Sequence, residues 1–342
     1  MQSLKSRWQT LLSFGILLAL LVSAAGYFYW ANRPFTLEQL APVDTPTLVH
    51  TITTDQRKPF AEIVQWNSRG DLLAVSSDKQ NILIYSIAGE LVADFRSHLF
   101  MGPFIRDIKW HPSKDIVAVS YGNRLVLWSA DGTIIKQINS NIEYSFRDIS
   151  WNISTNQLAV NQYYAFDRQY YHQIVLFDDN GTMIKQLSPI IDFTWNIEWL
   201  DPTKIVINSV NAEIIILDTE NETLATLIEG SYSEMAVNPH QNLIIAIRNP
   251  PTSIIQWKDN HLAELADKNI SDDILAISPY SKHSIIYQPS YQLRTLNHQS
   301  HTFENYPTIK FNETIKYASW HPHKPILAIL VDNEIQLWQL PE

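Results

Sequence analysis

The chain has 342 residues, 45% of them apolar and 18% charged, with a formal net charge of −10. That is enough apolar content for a large core, and the acidic balance runs against a nucleic-acid partner, whose phosphates require a basic face. With no cysteine and only 9 glycines, none in a phosphate-cradling pattern, the sequence excludes disulfides, thiolate metal sites, a cysteine nucleophile and nucleotide-binding loops, and it contains neither GxSxG nor HExxH.

Residues 1–10 make a short start carrying Lys5 and Arg7, and the run LLSFGILLALLVSAAGYFYW, Leu11 to Trp30, holds no charge. At about 1.5 Å per residue it reaches roughly 30 Å, the depth of a bilayer's hydrocarbon core. Trp8 before it and Tyr27, Tyr29 and Trp30 at its end suit the two water–lipid interfaces. Residues 11–30 therefore read as a transmembrane signal anchor. Two positive charges precede it and only Arg33 closely follows, which places the N-terminus in the cytoplasm and the bulk of the chain in the periplasm or another extracytoplasmic space. The small residues Val22 to Ala25 leave a cleaved signal peptide and a soluble periplasmic domain as the alternative, and the reversed orientation also stays open. The lack of cysteine in an exported domain leans towards a bacterial periplasm. Residues 31–47, with Pro34, Pro42 and Pro46, read as a semi-rigid linker.

From residue 48 onward the sequence repeats. Short apolar runs end at Trp66, Trp110, Trp151, Trp199, Val237, Ile277 and Trp320, at spacings of 38 to 48 residues. A period near 40–45 is that of a four-stranded blade in a propeller. In each unit a polar turn follows the anchor. Then come an apolar strand (IVAVS at 116–120, ILAIL at 326–330), a third strand (RLVLWS at 124–129, EIQLW at 334–338) and usually a fourth (TIIKQI at 133–138). The expected fold is all-β: a seven-bladed β-propeller of four-stranded antiparallel blades over 48–342, preceded by one transmembrane helix. The seventh unit has no fourth strand of its own after Trp338, and residues 48–54, LVHTITT, are expected to supply it.

The pattern W-x-P-x(4–5)-[LIV]-A-[VI] followed by L-W, clearest from Trp110 to Trp128 and from Trp320 to Trp338, resembles the WD-repeat β-propeller family. The resemblance spans 48–342. It departs from the family in lacking the Gly-His pair and in closing on Trp-Ser or Trp-Gln; only Leu217-Asp218 keeps an aspartate there. The family's buried Asp–His–Ser–Trp network is accordingly expected to be missing from most blades. Packing of the anchors Trp66, Trp110, Trp128, Trp151, Trp199, Trp320 and Trp338 is expected to hold them together instead.

Trp-His-Pro occurs twice, at 110–112 and 320–322, and raises the question of a histidine site. The position after the anchor holds Asn67, His111, Asn152, Leu200, Asn238, Ser278 and His321, with proline next in four units. These are mostly turn formers. No metal site, catalytic residue or cofactor is expected there.

The resemblance implies a protein-binding surface on the opposite face, where the repeat is broken. The longest insertion, NQYYAFDRQYYHQ at 161–173, lies in the third unit. Its Tyr163, Tyr164, Phe166, Tyr170 and Tyr171, with Trp195, Arg106, Arg147 and Lys316 nearby, form the candidate partner surface, because aromatics and arginine dominate binding hot spots. The plainer reading packs these aromatics between loops and leaves Arg106–Asp107 and Arg147–Asp148 as surface pairs. The functional expectation is a membrane-anchored, non-catalytic scaffold with a protein partner. The alternative is a propeller whose Arg106, Arg147 and Lys316 hold a small anionic ligand or glycan at the central channel.

Overall fold

The structure, a computed structural model, describes residues 35–54, 62–77, 81–95, 104–140, 144–166, 169–187, 194–209, 213–230, 232–248, 253–258, 261–265, 273–278, 283–288, 292–297, 302–310, 315–331 and 334–341. The anchor at 11–30 lies outside them. Among the described residues no helix is long and apolar enough to cross a membrane. The chain divides into two compact units at Leu40/Ala41. In the first, the described residues 35–40 contain one turn of 3-10 helix, Leu37–Gln39.

In the second unit the described residues form 28 strands in seven four-stranded antiparallel sheets. Strand β1 is Thr47–Thr53. Sheet 1 holds β2 to β5: Val64–Trp66, Leu72–Ser77, Asn81–Ser86 and Leu91–Phe95. Sheet 2 holds β6 to β9: Asp107–Trp110, Ile116–Ser120, Arg124–Ser129 and Ile134–Asn139. Sheet 3 holds β10 to β13: Tyr144–Trp151, Leu158–Phe166, Gln169–Phe177 and Met183–Gln186. Sheet 4 holds β14 to β17: Thr194–Trp199, Lys204–Ser209, Glu213–Asp218 and Thr223–Glu229. Sheet 5 holds β18 to β21: Tyr232–Asn238, Leu243–Arg248, Ser253–Lys258 and His261–Leu265. Sheet 6 holds β22 to β25: Asp273–Ile277, His283–Gln288, Gln292–Asn297 and Thr302–Lys310. Sheet 7 holds β26 to β28: Ile315–Trp320, Ile326–Val331 and Glu334–Gln339. Its fourth member is β1, which runs antiparallel to β28 from Thr47 opposite Gln339 to Thr53 opposite Glu334.

The first strands touch in a closed cycle, β2 to β6, β10, β14, β18, β22, β26 and back to β2. This is the all-β, propeller-like arrangement that the repeat implies. Where their side chains are described, the second and third strands are rich in aliphatic residues buried on both faces, as in LAV at 73–75 and ILAILV at 326–331. The fourth strands of sheets 1 to 4 are largely open to solvent, β9 almost throughout. Apolar residues of neighbouring sheets interlock, for example Ile84 and Phe95 of sheet 1 with Ile108, Trp110 and Val126 of sheet 2. Trp66, Trp110, Trp151, Trp199 and Trp320 are only 2–8% exposed. A buried tryptophan hides about 150–250 Å², on the order of a few kcal/mol each. Trp128 is buried by stacking on Phe95 of the preceding sheet, with ring centres 4.9 Å apart, while Trp338 is half-buried.

Candidate interaction site

The anchors do more than pack. In four of them the indole N–H reaches back to the sheet before it and donates to the carbonyl of the residue preceding that sheet's own anchor. Trp110 donates to Gln65 O (3.1 Å), Trp151 to Lys109 O (3.3 Å), Trp199 to Ser150 O (3.1 Å) and Trp66 to Ser319 O (3.1 Å). The residue after the anchor reaches the other way. Asn152 accepts the amides of Ser154 and Thr155 on Oδ1 and donates from Nδ2 to Asp201 O and Pro202 O of sheet 4. Asn238 likewise accepts from His240 and Gln241 and donates to Ser278 O.

The two histidines of Trp-His-Pro play the same part with ring nitrogens. His111 Nδ1 accepts the amides of Ser113 and Lys114, and its Nε2 faces Asp179 of sheet 3 at 3.8 Å. His321 Nδ1 accepts the amide of His323 and Nε2 meets Gly70 O at 3.1 Å, across the joint between sheets 7 and 1. That geometry is the neutral imidazole with its proton on Nε2. Burial pushes both histidines down to about 4, helped at His321 by His323 and opposed at His111 by Asp179. Among the described residues no group of three His, Asp or Glu side chains gathers as a metal site needs.

One and three residues before the anchor, side chains point to the axis of the ring. Lys109 of sheet 2 bonds Glu198 of sheet 4 at 2.6 Å, past sheet 3, which only axial positions allow. Ser150 donates to the other Glu198 oxygen (2.7 Å), and Gln65 donates to Tyr317 (3.1 Å). A cup of about 450 Å³ opens over Gln65, Lys109, Ser150, Glu198 and Ser319, rimmed by the anchor turns. Asp107 accepts the amides of Ile108 and Ile149; burial, with Asp148 adding to it and Lys109 opposing, pushes its carboxyl up to about 7. Burial likewise pushes Asp148 up to about 6, against its hydrogen bond from Asn161 and the charge of Arg147. Burial disfavours the Lys109 charge, but Glu198 and Asp107 outweigh it and hold the ammonium above its ordinary range.

Asp107 and Asp148 are therefore axial groups and not members of surface pairs. The channel also differs from an anion site: its lysine is already engaged and three carboxylates surround it. None of these axial residues was singled out from sequence. The available signal was the alternation in DIKW, DISW and NIEW, polar at both positions flanking the buried isoleucine.

The candidate partner surface centres on sheet 3. Strands β11 and β12 run for nine residues each, against five or six for β7 and β8, so their hairpin extends beyond the repeat. Cross-strand pairing sets two rows of rings. On one face Tyr144 lies opposite Tyr164 and Tyr164 opposite Tyr171, with centroids 4.9 and 5.2 Å apart. On the other, Tyr163 stacks on His172 at 5.6 Å and the Arg147 guanidinium sits 5.5 Å over the Tyr163 ring. Such rows stabilise the end of the hairpin beyond Val175, where β13 no longer pairs with β12.

Beneath them lies a buried knot that sequence reading missed: His172 Nδ1 is 3.0 Å from both Asn161 Oδ1 and Thr194 Oγ1, and Asn161 Nδ2 donates to Asp148. Burial and then Arg147 push His172 down to about 4.

The other candidates scatter. Phe166 and Tyr170 lie in β11 and β12 with side chains outside the described residues, as is the Trp195 side chain. Trp195 and Lys316 are bulge positions of β14 and β26, and Arg147–Asp148 is the matching bulge of β10. Arg106 precedes β6, exposed, with its amide donating to Ser120 O (2.8 Å). The structure thus brings together Arg147, Tyr163, Tyr164 and Tyr171. All four are half-buried, so they pack on one another and present a surface as well.

Residues 64–154 match the family model of the anaphase-promoting complex subunit 4 WD40 domain. No curated protein matches the chain. Among solved structures, the Myceliophteria thermophila Cps50 (Swd1) β-propeller domain superposes with a TM-score of 0.68 at 14% identity, covering 86% of this chain and 99% of that one. A chain of a mitotic checkpoint complex superposes with a TM-score of 0.65 at 15% identity, covering 91% and 100%. At such identities the likeness establishes the β-propeller fold.

Proposed function

We propose that the chain is a seven-bladed propeller of the WD-repeat kind that serves as a non-catalytic scaffold for a protein partner, docked on the extended hairpin of sheet 3. The observation that carries this reading is the two-faced aromatic and arginine surface of β10 to β12, where the second and third strands run for nine residues against five or six in the other described sheets. Its residue types are those of interaction hot spots. The WD40 match over 64–154 and the checkpoint-complex neighbour are consistent with a binding role. The seven closed sheets support the blade count.

We further propose that Leu11–Trp30 tethers the propeller to a membrane, with residues 1–10 cytoplasmic, 31–47 a linker and 48–342 outside. The support is the uncharged length of that run and the charges around it. An in-membrane crosslinking pull-down tests the scaffold. The intact chain should capture a partner, while Tyr164→Ala/Tyr171→Ala/Arg147→Ala should lose it and still melt in one cooperative transition, at a Tm lowered by only a few degrees. Undiminished capture by that variant would overturn the reading. A reporter fused after Glu342 tests the orientation, and cytoplasmic activity would reverse it.

A further inference from the structure

Between sheets 2 and 3 runs a groove of about 550 Å³. One wall is Lys136 to Ser140, five consecutive residues of β9 and its end. Successive side chains of a strand point to opposite faces. A groove that meets five in a row therefore meets the strand edge-on, backbone included.

Strand β9 is the last in its sheet, so among the described residues no strand occupies its far side. The β-bulge at Ile135 interrupts its start, where Ile134 pairs with Trp128 and Lys136 with Leu127, and leaves 136–139 as a straight open edge. The facing wall is one face of sheet 3. It offers the carboxamides of Gln162, Gln173 and Gln186, with Tyr144 at the end where the tyrosine row begins. Lys136 is the one charged residue among those lining the groove. A carboxamide pairs a donor with an acceptor, as a peptide bond does.

We propose that this groove takes an extended, uncharged peptide segment of the partner protein, which adds a fifth strand to sheet 2 along β9. The open edge supplies main-chain hydrogen bonds, the glutamines hold the segment's outer side or backbone, and the row Tyr144–Tyr164–Tyr171 receives the partner residues next in the chain. The four residues 136–139 give a paired length of roughly 13 Å. The absence of carboxylates and the single lysine disfavour a basic peptide and a nucleic acid alike. This deepens the scaffold reading and rests on it.

The test uses the full chain in detergent and ten-residue peptides without charged side chains, selected from a display library. Bound peptides should photocrosslink to residues 136–140 and slow hydrogen exchange of the β9 amides. N-methylation of the peptide at every second position should weaken binding about fivefold per site, with the positions between tolerated, because only alternate amides face the strand. Gln162→Leu/Gln186→Leu should weaken all selected peptides.

Failure to select peptides, crosslinks elsewhere, or equal sensitivity to N-methylation at all positions would overturn the groove. So would displacement of the peptide by a neutral oligosaccharide that leaves β9 exchange unchanged. If the pull-down still captures a partner through the hairpin while peptides avoid the groove, the groove alone has failed. If peptides show the alternating signature but no partner depends on the hairpin, the scaffold reading has failed instead.

Discussion

Two regions of the ring treat the repeat in opposite ways. On the anchor-turn side, Asn, His and Trp differ from unit to unit yet make equivalent bonds: Asn152 and His321 cap their own turns with one atom and cross to the next sheet with another. At sheet 3 the hairpin keeps the strand pairing but fills it with side chains that have no counterpart elsewhere, such as Tyr163 under Arg147. The difference teaches that repeated geometry and changed chemistry lie on opposite sides of the ring. Substitutions on the first side should act on stability, and those on the second on binding.

The largest expected effect is on the turn side. Gly70 has φ +76°, and a Cβ there would lie 2.1 Å from His321 Nε2. Gly70→Ala should destabilise by about 3 kcal/mol, read as a fall in urea midpoint, with partner capture intact in the folded fraction. Next comes Trp199→Phe, which leaves the Ser150 carbonyl without its indole donor and should lower stability by about 1–3 kcal/mol. Trp338→Phe should lower it less, since that indole bonds the Gln336 side chain, two residues away on its own strand, and is half-buried.

The third effect depends on pH. His111, His172 and His321 are held near 4 in the folded chain, below the unfolded value of 6.5. Their contribution is full above pH 6.5 and is lost as pH falls towards 4. Asp107 and Asp148 act with the opposite sign: held near 7 and 6 against an unfolded value of 3.8, they favour the folded state fully below about pH 4 and lose that contribution as pH rises to 6 and 7. His111→Asn/His321→Asn should reduce the fall of Tm between pH 6.5 and 4, and Asp107→Asn, which removes an opposing slope over the same range, should deepen it. An unchanged curve in either variant would remove that group from the account. The smallest effect on stability is expected at the hairpin, where Tyr164→Ala should cost about 1 kcal/mol or less while abolishing capture. A loss as large as that of Gly70→Ala would break the comparison.

The fold was legible because a large buried side chain recurring near 40-residue intervals has few structural meanings. The spacing from Trp66 to Trp320 marked first strands even through Val237 and Ile277, where the tryptophan is absent. The turn role of His111 was legible for a related reason: Asn occupies the same place in other units and shares its hydrogen-bond pattern. The axial residues were not. Polar side chains alternating with apolar ones ordinarily signal water on one face, and only the closing of seven strands around an axis turns Asp107, Lys109 and Glu198 inward upon one another. The candidate surface was legible as a cluster in Tyr163, Tyr164 and Tyr171 but not in its membership. Arg106 precedes β6 of sheet 2 and Lys316 lies in sheet 7, and the part played by His172 depends on Thr194, a residue of the next sheet.

The indole bonds have a direction, and that direction has a consequence for how the ring is made. The four bonded anchor indoles all reach the sheet before them in the ring, so for three of the four the acceptor exists before its donor on a chain emerging from its N-terminus. Trp110, Trp151 and Trp199 can each be locked as soon as they appear. Trp66 is the exception: its acceptor, Ser319, lies 253 residues later. The first anchor tryptophan synthesised is thus the last to be satisfied, and until synthesis is nearly complete its neighbourhood remains an open, apolar end that a chaperone or a second nascent copy could occupy.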